Sequence, residues 1–194
     1  MAHNILVLNG HPDPDSRGLC HALAEAYIEG AQDEGHLVQR LDVARLPFGF
    51  LRSQAEFEKG VVPASIATAQ SELLRADHLV VVFPLWLGSM PALLKAFFEH
   101  ALRPGFAFED RRHGFPVARL RGRSARMIVT MGMPALVYRW YYGGHGVRNL
   151  KRNVLGFVGY APIRTTMVGS LAMRSGESLE RVVDDVKALG SSAR

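Results

Sequence analysis

Hydrophobic and polar positions along this chain follow two periods in turn. Short continuous apolar runs of strand length alternate with stretches whose apolar residues recur every three or four positions. Asn4-Ile-Leu-Val-Leu-Asn9 is the first apolar run and predicts a strand buried on both faces. A loop rich in Pro and Asp follows, then a helix from about Gly18 to Glu34, stopped at Gly35. Leu37 to Val43 predicts a second, half-alternating strand. Residues 44–62 read as a long connection, and a helix is expected from Pro63 to about Arg75, with proline in the first turn where a missing N–H is no loss. His78 to Phe83 is the clearest central strand, closed by Pro84. Pro91 opens a predicted helix through Leu102 that aligns Leu94, Phe97, Phe98 and Ala101. Gly105 to Ser124 is irregular and basic; Arg126 to Thr130 predicts a fourth strand, Val147 to Phe157 a helix and Ile163 to Val168 a fifth strand. The last stretch, Ser178 to Leu189, is amphipathic, with Leu179, Val182, Val183, Val186 and Leu189 on one side.

Strands alternating with helices predict an α/β fold: a parallel sheet with right-handed crossovers and helices on both faces. Five strands at this spacing fit the order 2-1-3-4-5. Ligands of such sheets bind beyond the carboxyl ends of the strands, at the switch point beside strand 1. The loops to read for chemistry are therefore 9–18, 83–91 and 130–146. No internal repeat interrupts the pattern, so one domain over residues 1–194 is expected.

Composition narrows the class without naming a function. With 194 residues, 48% of them hydrophobic, the chain can bury one sizeable core, and 21% charged residues exclude wholesale disorder. The single cysteine, Cys20, excludes a disulfide framework and a cysteine-rich zinc site. No apolar run reaches the roughly 18 residues of a membrane span. Nor does a basic leader with a cleavage pattern precede the first strand. A cytoplasmic protein with no membrane insertion is the expectation. Net charge is +5, and nineteen of the 23 cations are arginine, most densely from Arg111 to Arg126. That run lacks the aromatic interleaving and helical spacing of a nucleic-acid surface, so no nucleic-acid partner is expected. It reads either as a solvated basic loop or as a contact for a dinucleotide phosphate or polyanion.

The three loops carry the candidate chemistry. Asn9-Gly-His-Pro-Asp-Pro-Asp-Ser-Arg-Gly18 lacks the Walker A and GxGxxG patterns, yet it sits where a phosphate cradle would, between a strand and a helix N-terminus. His11, Ser16, Arg17 and the free N–H groups could hold a phosphate; the plainer alternative is a proline-shaped turn with Asp15 or Ser16 as helix cap. Phe83-Pro-Leu-Trp-Leu-Gly-Ser-Met-Pro91 strands a Trp and two Leu between prolines, where each large apolar side chain left in water forgoes about 1.5–3 kcal/mol. They cover either a planar aromatic cofactor or a neighbouring loop. Thr130-Met-Gly-Met-Pro134 leads into Tyr138, Trp140, Tyr141, Tyr142 and His145, residues that can donate to a developing negative charge, although a lone His can equally be a cap or a surface residue. There is no GxSxG elbow and no HExxH or paired His/Cys spacing, so α/β-hydrolase and catalytic zinc chemistry are disfavoured. Loops so poor in titratable groups suggest that a cofactor performs the chemistry.

Three segments together carry a resemblance. Gly10-His-Pro-Asp-Pro-Asp-Ser16, the Phe83-Pro-Leu-Trp segment running through Met90-Pro-Ala-Leu-Leu-Lys95, and Gly105-Phe-Ala-Phe108 resemble the NAD(P)H:quinone oxidoreductases of the flavodoxin-like fold. That family includes DT-diaphorase, the modulator of drug activity B proteins and the ancillary subunits of potassium efflux systems. The resemblance spans strand 1 to about Gly159. It implies a flavodoxin-like three-layer sandwich and a bound flavin, FMN or FAD, with NAD(P)H as co-substrate and a quinone or similar acceptor. His11, Ser16, Arg17 and Gly18 would then hold the flavin phosphate. Pro84, Leu85, Trp86 and Leu87 would line the ring, and Thr130, Met131, Gly132 and Met133 would pass its polar edge. His145 and Tyr138 would be the catalytic pair that stabilises charge, by a ping-pong mechanism. Arginines of the 111–126 run or Arg139 are candidates for a dinucleotide phosphate. A homodimer with the flavin near its interface is also implied. The chain departs from its relatives with Thr130-Met-Gly-Met in place of Thr-Gly-Gly, and with Arg-Gly at 17–18, which leaves FMN against FAD open. Two other readings share the fold: a flavin-binding regulatory subunit of a membrane transporter, and a flavodoxin-like electron carrier.

Overall fold

The structure is a computed structural model and describes residues 2–15, 18–109, 116–171 and 175–193. Strands β1 (Asn4–Asn9), β2 (Leu37–Asp42) and β3 (His78–Pro84) come first along the chain. A two-residue antiparallel pair follows, β4 (Phe108–Glu109) with β5 (Val117–Ala118). Strands β6 (Ser124–Thr130) and β7 (Ile163–Val168) complete the main sheet. Its order is β2-β1-β3-β6-β7 and each neighbouring pair is parallel. With the short pair set aside, this is the order 2-1-3-4-5 that the alternation of periods implies.

The period of two within each strand divides the core. Leu6 and Leu8 of β1, Leu79, Val81 and Phe83 of β3, and Met127 and Val129 of β6 face one apolar layer. That layer is closed by α3 (Ala64–Arg75), α4 (Ala92–Ala101) and the helical run from α6 (His145–Asn149) through a π-helical segment, Leu150–Leu155, to α7 (Gly156–Val158). Ile5, Val7, Val80, Val82 and Ile128 point the other way, onto α1 (Leu19–Asp33) and α8 (Gly176–Ser192). Helices on both faces make three layers.

Several elements differ from the sequence expectation. The helix expected from Val147 begins at His145 and loosens to π geometry over Leu150–Leu155. The long connection after β2 contains α2 (Gln54–Lys59). Ser53 caps it, its Oγ accepting from Glu56 N at 3.1 Å, while Glu56 Oε2 accepts from Arg52 N at 2.9 Å. The Ser-x-x-Glu spacing at 53–56 is a helix-start signal legible in the sequence. Buried Arg103 secures the other end of α2, donating to the carbonyls of Phe57 and Gly60, each at 3.0 Å, and of Glu56. Finally, the third loop holds a helix of its own, α5 (Ala135–Trp140), entered through Pro134.

Candidate active site at the carboxyl ends of the strands

The register of the sheet brings Asn9 and Asp42 side by side at the ends of β1 and β2. Asn9 Nδ2 donates to Asp42 Oδ1 at 2.8 Å, and Asn9 Oδ1 accepts from His11 N at 3.3 Å, turning the chain out of β1. Arg40 holds the same carboxylate, Nη2 to Oδ1 at 2.7 Å, and also pairs with Glu25. Burial raises the Asp42 pKa, but the hydrogen bonds from Arg40 and Asn9 outweigh it and hold the carboxyl below its ordinary range. His21, on the first turn of α1, has Nδ1 at 3.2 Å from both Asn9 Nδ2 and Arg40 Nη2. Two donors facing Nδ1 place the proton on Nε2, which lies 3.2 Å from the Asp13 carbonyl oxygen. His11 Nδ1 accepts from Asp13 N at 3.2 Å, and Arg45 donates to the Pro14 carbonyl at 2.8 Å. The first loop is thus held from both sides, by His21 and by Arg45. Ser16 and Arg17 lie outside the described residues. Gly18, half-buried, is the extended N-cap of α1, whose first turn carries no acid that would repel a phosphate.

The second loop leaves β3 through half-buried Pro84 and is tied to the third at once, Leu85 N donating to Thr130 O at 2.7 Å. Trp86 and Ser89 then exchange backbone hydrogen bonds of 2.9 and 3.0 Å around Leu87 and Gly88, whose φ angles are +47° and +78°. Two consecutive positive φ values are the signature of a type I′ turn. Glycine suits the second position; Leu87 at the first costs about 1–2 kcal/mol, and its side chain is fully exposed. The Trp86 indole is 51% exposed, with the His11 ring edge-on at 6.2 Å. A strained turn that holds a Leu and a Trp out into water is built for something other than the core.

In the third loop, Thr130 and Met131 are buried, so their side chains face the interior and only their backbone can meet a ligand. Thr130 Oγ1 lies 3.2 Å from Cys20 Sγ, and burial, partly offset by that hydrogen bond, pushes the thiol up to about 11. Cys20 is therefore a protonated packing residue and no nucleophile. Gly132 is exposed, and among the described residues the N–H groups of Gly132 and Met133 have no acceptor. Tyr138 points inward from α5 and is almost wholly buried. Its hydroxyl donates to Gly88 O at 2.9 Å and accepts from Val147 N at 3.2 Å, locking the second loop to the third. His145 stands exposed at the start of α6, and Trp140, Tyr141 and Tyr142 are exposed beside it in the chain. Replacing Tyr138 by Phe leaves the half-buried Gly88 carbonyl and the buried Val147 N–H without this partner. The expected loss is about 1–2 kcal/mol, a fall in Tm of about 3–6 °C by calorimetry. An unchanged Tm would show that the hydroxyl locks nothing.

The structure therefore brings His11, Trp86 and the 84–88 and 130–133 backbones to one end of the sheet, with Tyr138 as the strut between two loops. Sequence reading missed the Arg40–Asp42–Asn9–His21 network and the helical character of 135–140. A conjugated ring with carbonyl oxygens along one edge fits what is present: an exposed indole and a strained apolar turn for its face, unclaimed N–H groups for its edge. Among the described residues no group of His, Cys, Asp or Glu could hold a metal ion, and no helix is long and apolar enough to cross a membrane.

Comparison with known proteins agrees with this architecture. Residues 3–189 match the family described as having the flavodoxin-like fold, and the chain belongs to that family. It is 26% identical over 189 residues to the uncharacterized NAD(P)H oxidoreductase YcaK of Escherichia coli, covering 92% of this chain and 89% of that one. It is 32% identical over 117 residues to the FMN-dependent NADH:quinone oxidoreductase of Shewanella amazonensis, covering 60% of this chain and 57% of that one. Two further curated relatives are each matched over 64% of their length. Among solved structures, the NAD(P)H:quinone oxidoreductase of Methanothermobacter marburgensis superposes with a TM-score of 0.82 over the whole of both chains at 21% identity, a likeness of fold.

Proposed function

We propose that the chain is a flavin-dependent NAD(P)H oxidoreductase whose acceptor is a quinone or a similar flat, apolar oxidant. The observation that carries this reading is the strained turn at Leu87-Gly88, with Trp86 and Leu87 exposed, on a loop tied by Leu85 N to Thr130 O and so to the segment that bears the open N–H groups of Gly132 and Met133. The names of the FMN-dependent and NAD(P)H-dependent relatives support it. Pro84 to Leu87 would hold the face of the flavin ring and residues 130–133 its edge, FMN being favoured over FAD by the named relatives. His11, Ser16, Arg17 and Gly18 would hold its phosphate at the N-terminus of α1. The flavin, when bound, supplies hydride acceptance from NAD(P)H and its delivery to the acceptor.

The protein's own part is positioning. Tyr138, with both functions of its hydroxyl occupied, serves as a positioning residue for the second loop. His145, exposed and adjacent in sequence to the Gly143-Gly144 turn, is the group free to offset negative charge. His145→Ala is expected to lower the rate of reduction by NADPH about tenfold with flavin retained; unchanged reduction in stopped flow would remove His145 from the mechanism. One open apolar face for two flat substrates implies ping-pong kinetics, with parallel double-reciprocal plots. The exposed Trp140, Tyr141 and Tyr142 are consistent with a homodimer that covers them. A single domain in the cytoplasm, where NAD(P)H is available, completes the reading.

The deciding experiment is the visible spectrum of the purified protein before and after anaerobic NADPH, and again after quinone. Bands that bleach with NADPH and return with quinone are expected. Flavin that stays oxidised would favour the carrier or regulatory reading, and a protein that takes up neither FMN nor FAD would end the proposal.

A further inference from the structure

A cavity of about 550 Å³ opens between α5, α6 with its π-helical extension, and β7, the edge strand of the sheet. Arg139, Arg148 and Lys151 stand around it, with the Thr165 hydroxyl, over an apolar wall that includes Leu136 and Met167. Among the described residues no carboxylate lines it, and none of the three cations has an ion-pair partner. The sequence extends this imbalance. From Arg111 to Gly176 there is no Asp or Glu, while 12 of the chain's 23 Lys and Arg fall in that span. Three like charges around one cavity repel one another and are stabilised together by a multiply charged anion.

The cavity is not remote from the strand-end site. Val147 lines it, and the N–H of Val147 donates to the Tyr138 hydroxyl that holds Gly88. Arg139 follows Tyr138 directly on α5, a helix whose six residues are only about 9 Å long. The second loop and the cavity therefore both meet α5, the loop through the Tyr138 hydroxyl and the cavity through Ala135, Leu136 and Arg139.

We propose that this cavity binds the phosphomonoester of an adenosine-bearing ligand, specifically the 2′-phosphate of NADPH, and so selects NADPH over NADH. The inference rests on the reading that a nicotinamide dinucleotide is the reductant. A phosphomonoester carries nearly two charges and three acceptor oxygens, which suit two guanidinium groups, an ammonium and a hydroxyl. The apolar wall suits the adenosine beside it. NADH offers only a hydroxyl at that position and leaves the three cations unanswered.

Calorimetric titration of the protein as purified, with the flavin it carries, tests this without turnover. The probes are 2′,5′-ADP, 5′-AMP and inorganic pyrophosphate, against wild type and the exposed-site double variant Arg148→Glu, Lys151→Glu. Wild type is expected to bind 2′,5′-ADP at least tenfold more tightly than 5′-AMP, with the gap closing in the variant. The ratio of kcat/KM for NADPH over NADH is expected to fall by the same factor. Equal binding of 2′,5′-ADP and 5′-AMP by wild type, or a gap that survives the double variant, would overturn the proposal. So would pyrophosphate binding as tight as that of 2′,5′-ADP, which marks a general anion surface. The expected binding pattern without NADPH–quinone turnover would uphold the cavity and overturn the oxidoreductase reading instead.

Discussion

Gly146→Ala is expected to unfold at a Tm lower by about 6 °C or more and to bind FMN at least tenfold more weakly than wild type. A Cβ built at Gly146 falls 2.1 Å from Gly88 O, 2.7 Å from Ser89 Cα and 3.0 Å from Gly88 C. All three are backbone atoms of the second loop, so no side-chain rotation relieves the overlap. Gly146 lies in α6, where alanine on propensity alone would gain up to about 1 kcal/mol. Overpacking of flexible side chains costs about 1–3 kcal/mol, and an overlap of backbone with backbone exceeds that range, so the steric cost outweighs the helical gain by about 3 kcal/mol. The cheaper escape is to part the loops, which breaks the bond from the Tyr138 hydroxyl to Gly88 O and moves Trp86 off its position. Either way the strand-end site loses its geometry. Gly176→Ala is the control, because a Cβ at the first residue of α8 meets nothing within 4 Å among the described residues. Its Tm should stay level or rise slightly. A Gly146→Ala protein with wild-type Tm and FMN affinity would show that the close approach does not matter.

That lock illustrates what a single sequence withholds. The apolar runs of β1 and β3 are legible residue by residue because strands buried on both faces need no partner to declare them. Their alternation with helices carries the sheet order and hence the three loops that converge. What pairs across the sheet is not legible. Asn9 and Asp42 meet because β1 and β2 share a register, and His21 joins them because α1 folds back over β1. None of these three looks unusual in its own neighbourhood of the chain. Tyr138 stands among four aromatic residues from 138 to 142 that read alike in sequence, yet it alone of them is buried, with its hydroxyl shared between two loops. The helix that sorts them, α5, carries Leu136, Val137 and Trp140 exposed, so the apolar stripe that announces a helix is blurred. By contrast, the basic bias from 111 to 176 is plain in the sequence, and only the fold shows that three of its cations share one cavity.

Stability is expected to fall by about 3 kcal/mol as pH drops from about 6.5 to about 4, with His78 as the cause. His78 opens β3 at the end of the sheet opposite the site and is 2% exposed. Its Nδ1 lies 2.7 Å from Ser124 Oγ, its ring stacks on Tyr27 at 6.3 Å, and Nε2 is buried without a partner among the described residues. Burial, reinforced by the positive charge of Arg126 and more weakly of His3 and Arg164, pushes the imidazole down to about 4. In the unfolded chain it titrates near 6.5, so between the two values the unfolded state takes up a proton that the folded state refuses. The contribution is complete above about pH 6.5 and is lost as pH falls toward 4. Asp42 acts in a different window. Its pKa is held below the carboxylate range in the folded state, so its share of stability is present above that range and lost only in stronger acid. Urea unfolding at pH 7.5 and pH 4.5 therefore leaves the Asp42 contribution in place, and comparison with a His78 variant isolates that histidine. Wild type should lose most of the 3 kcal/mol between the two, while His78→Gln, which has no proton to refuse, should lose much less even if its stability at pH 7.5 is lower. Parallel losses in the two proteins would assign the acid sensitivity elsewhere.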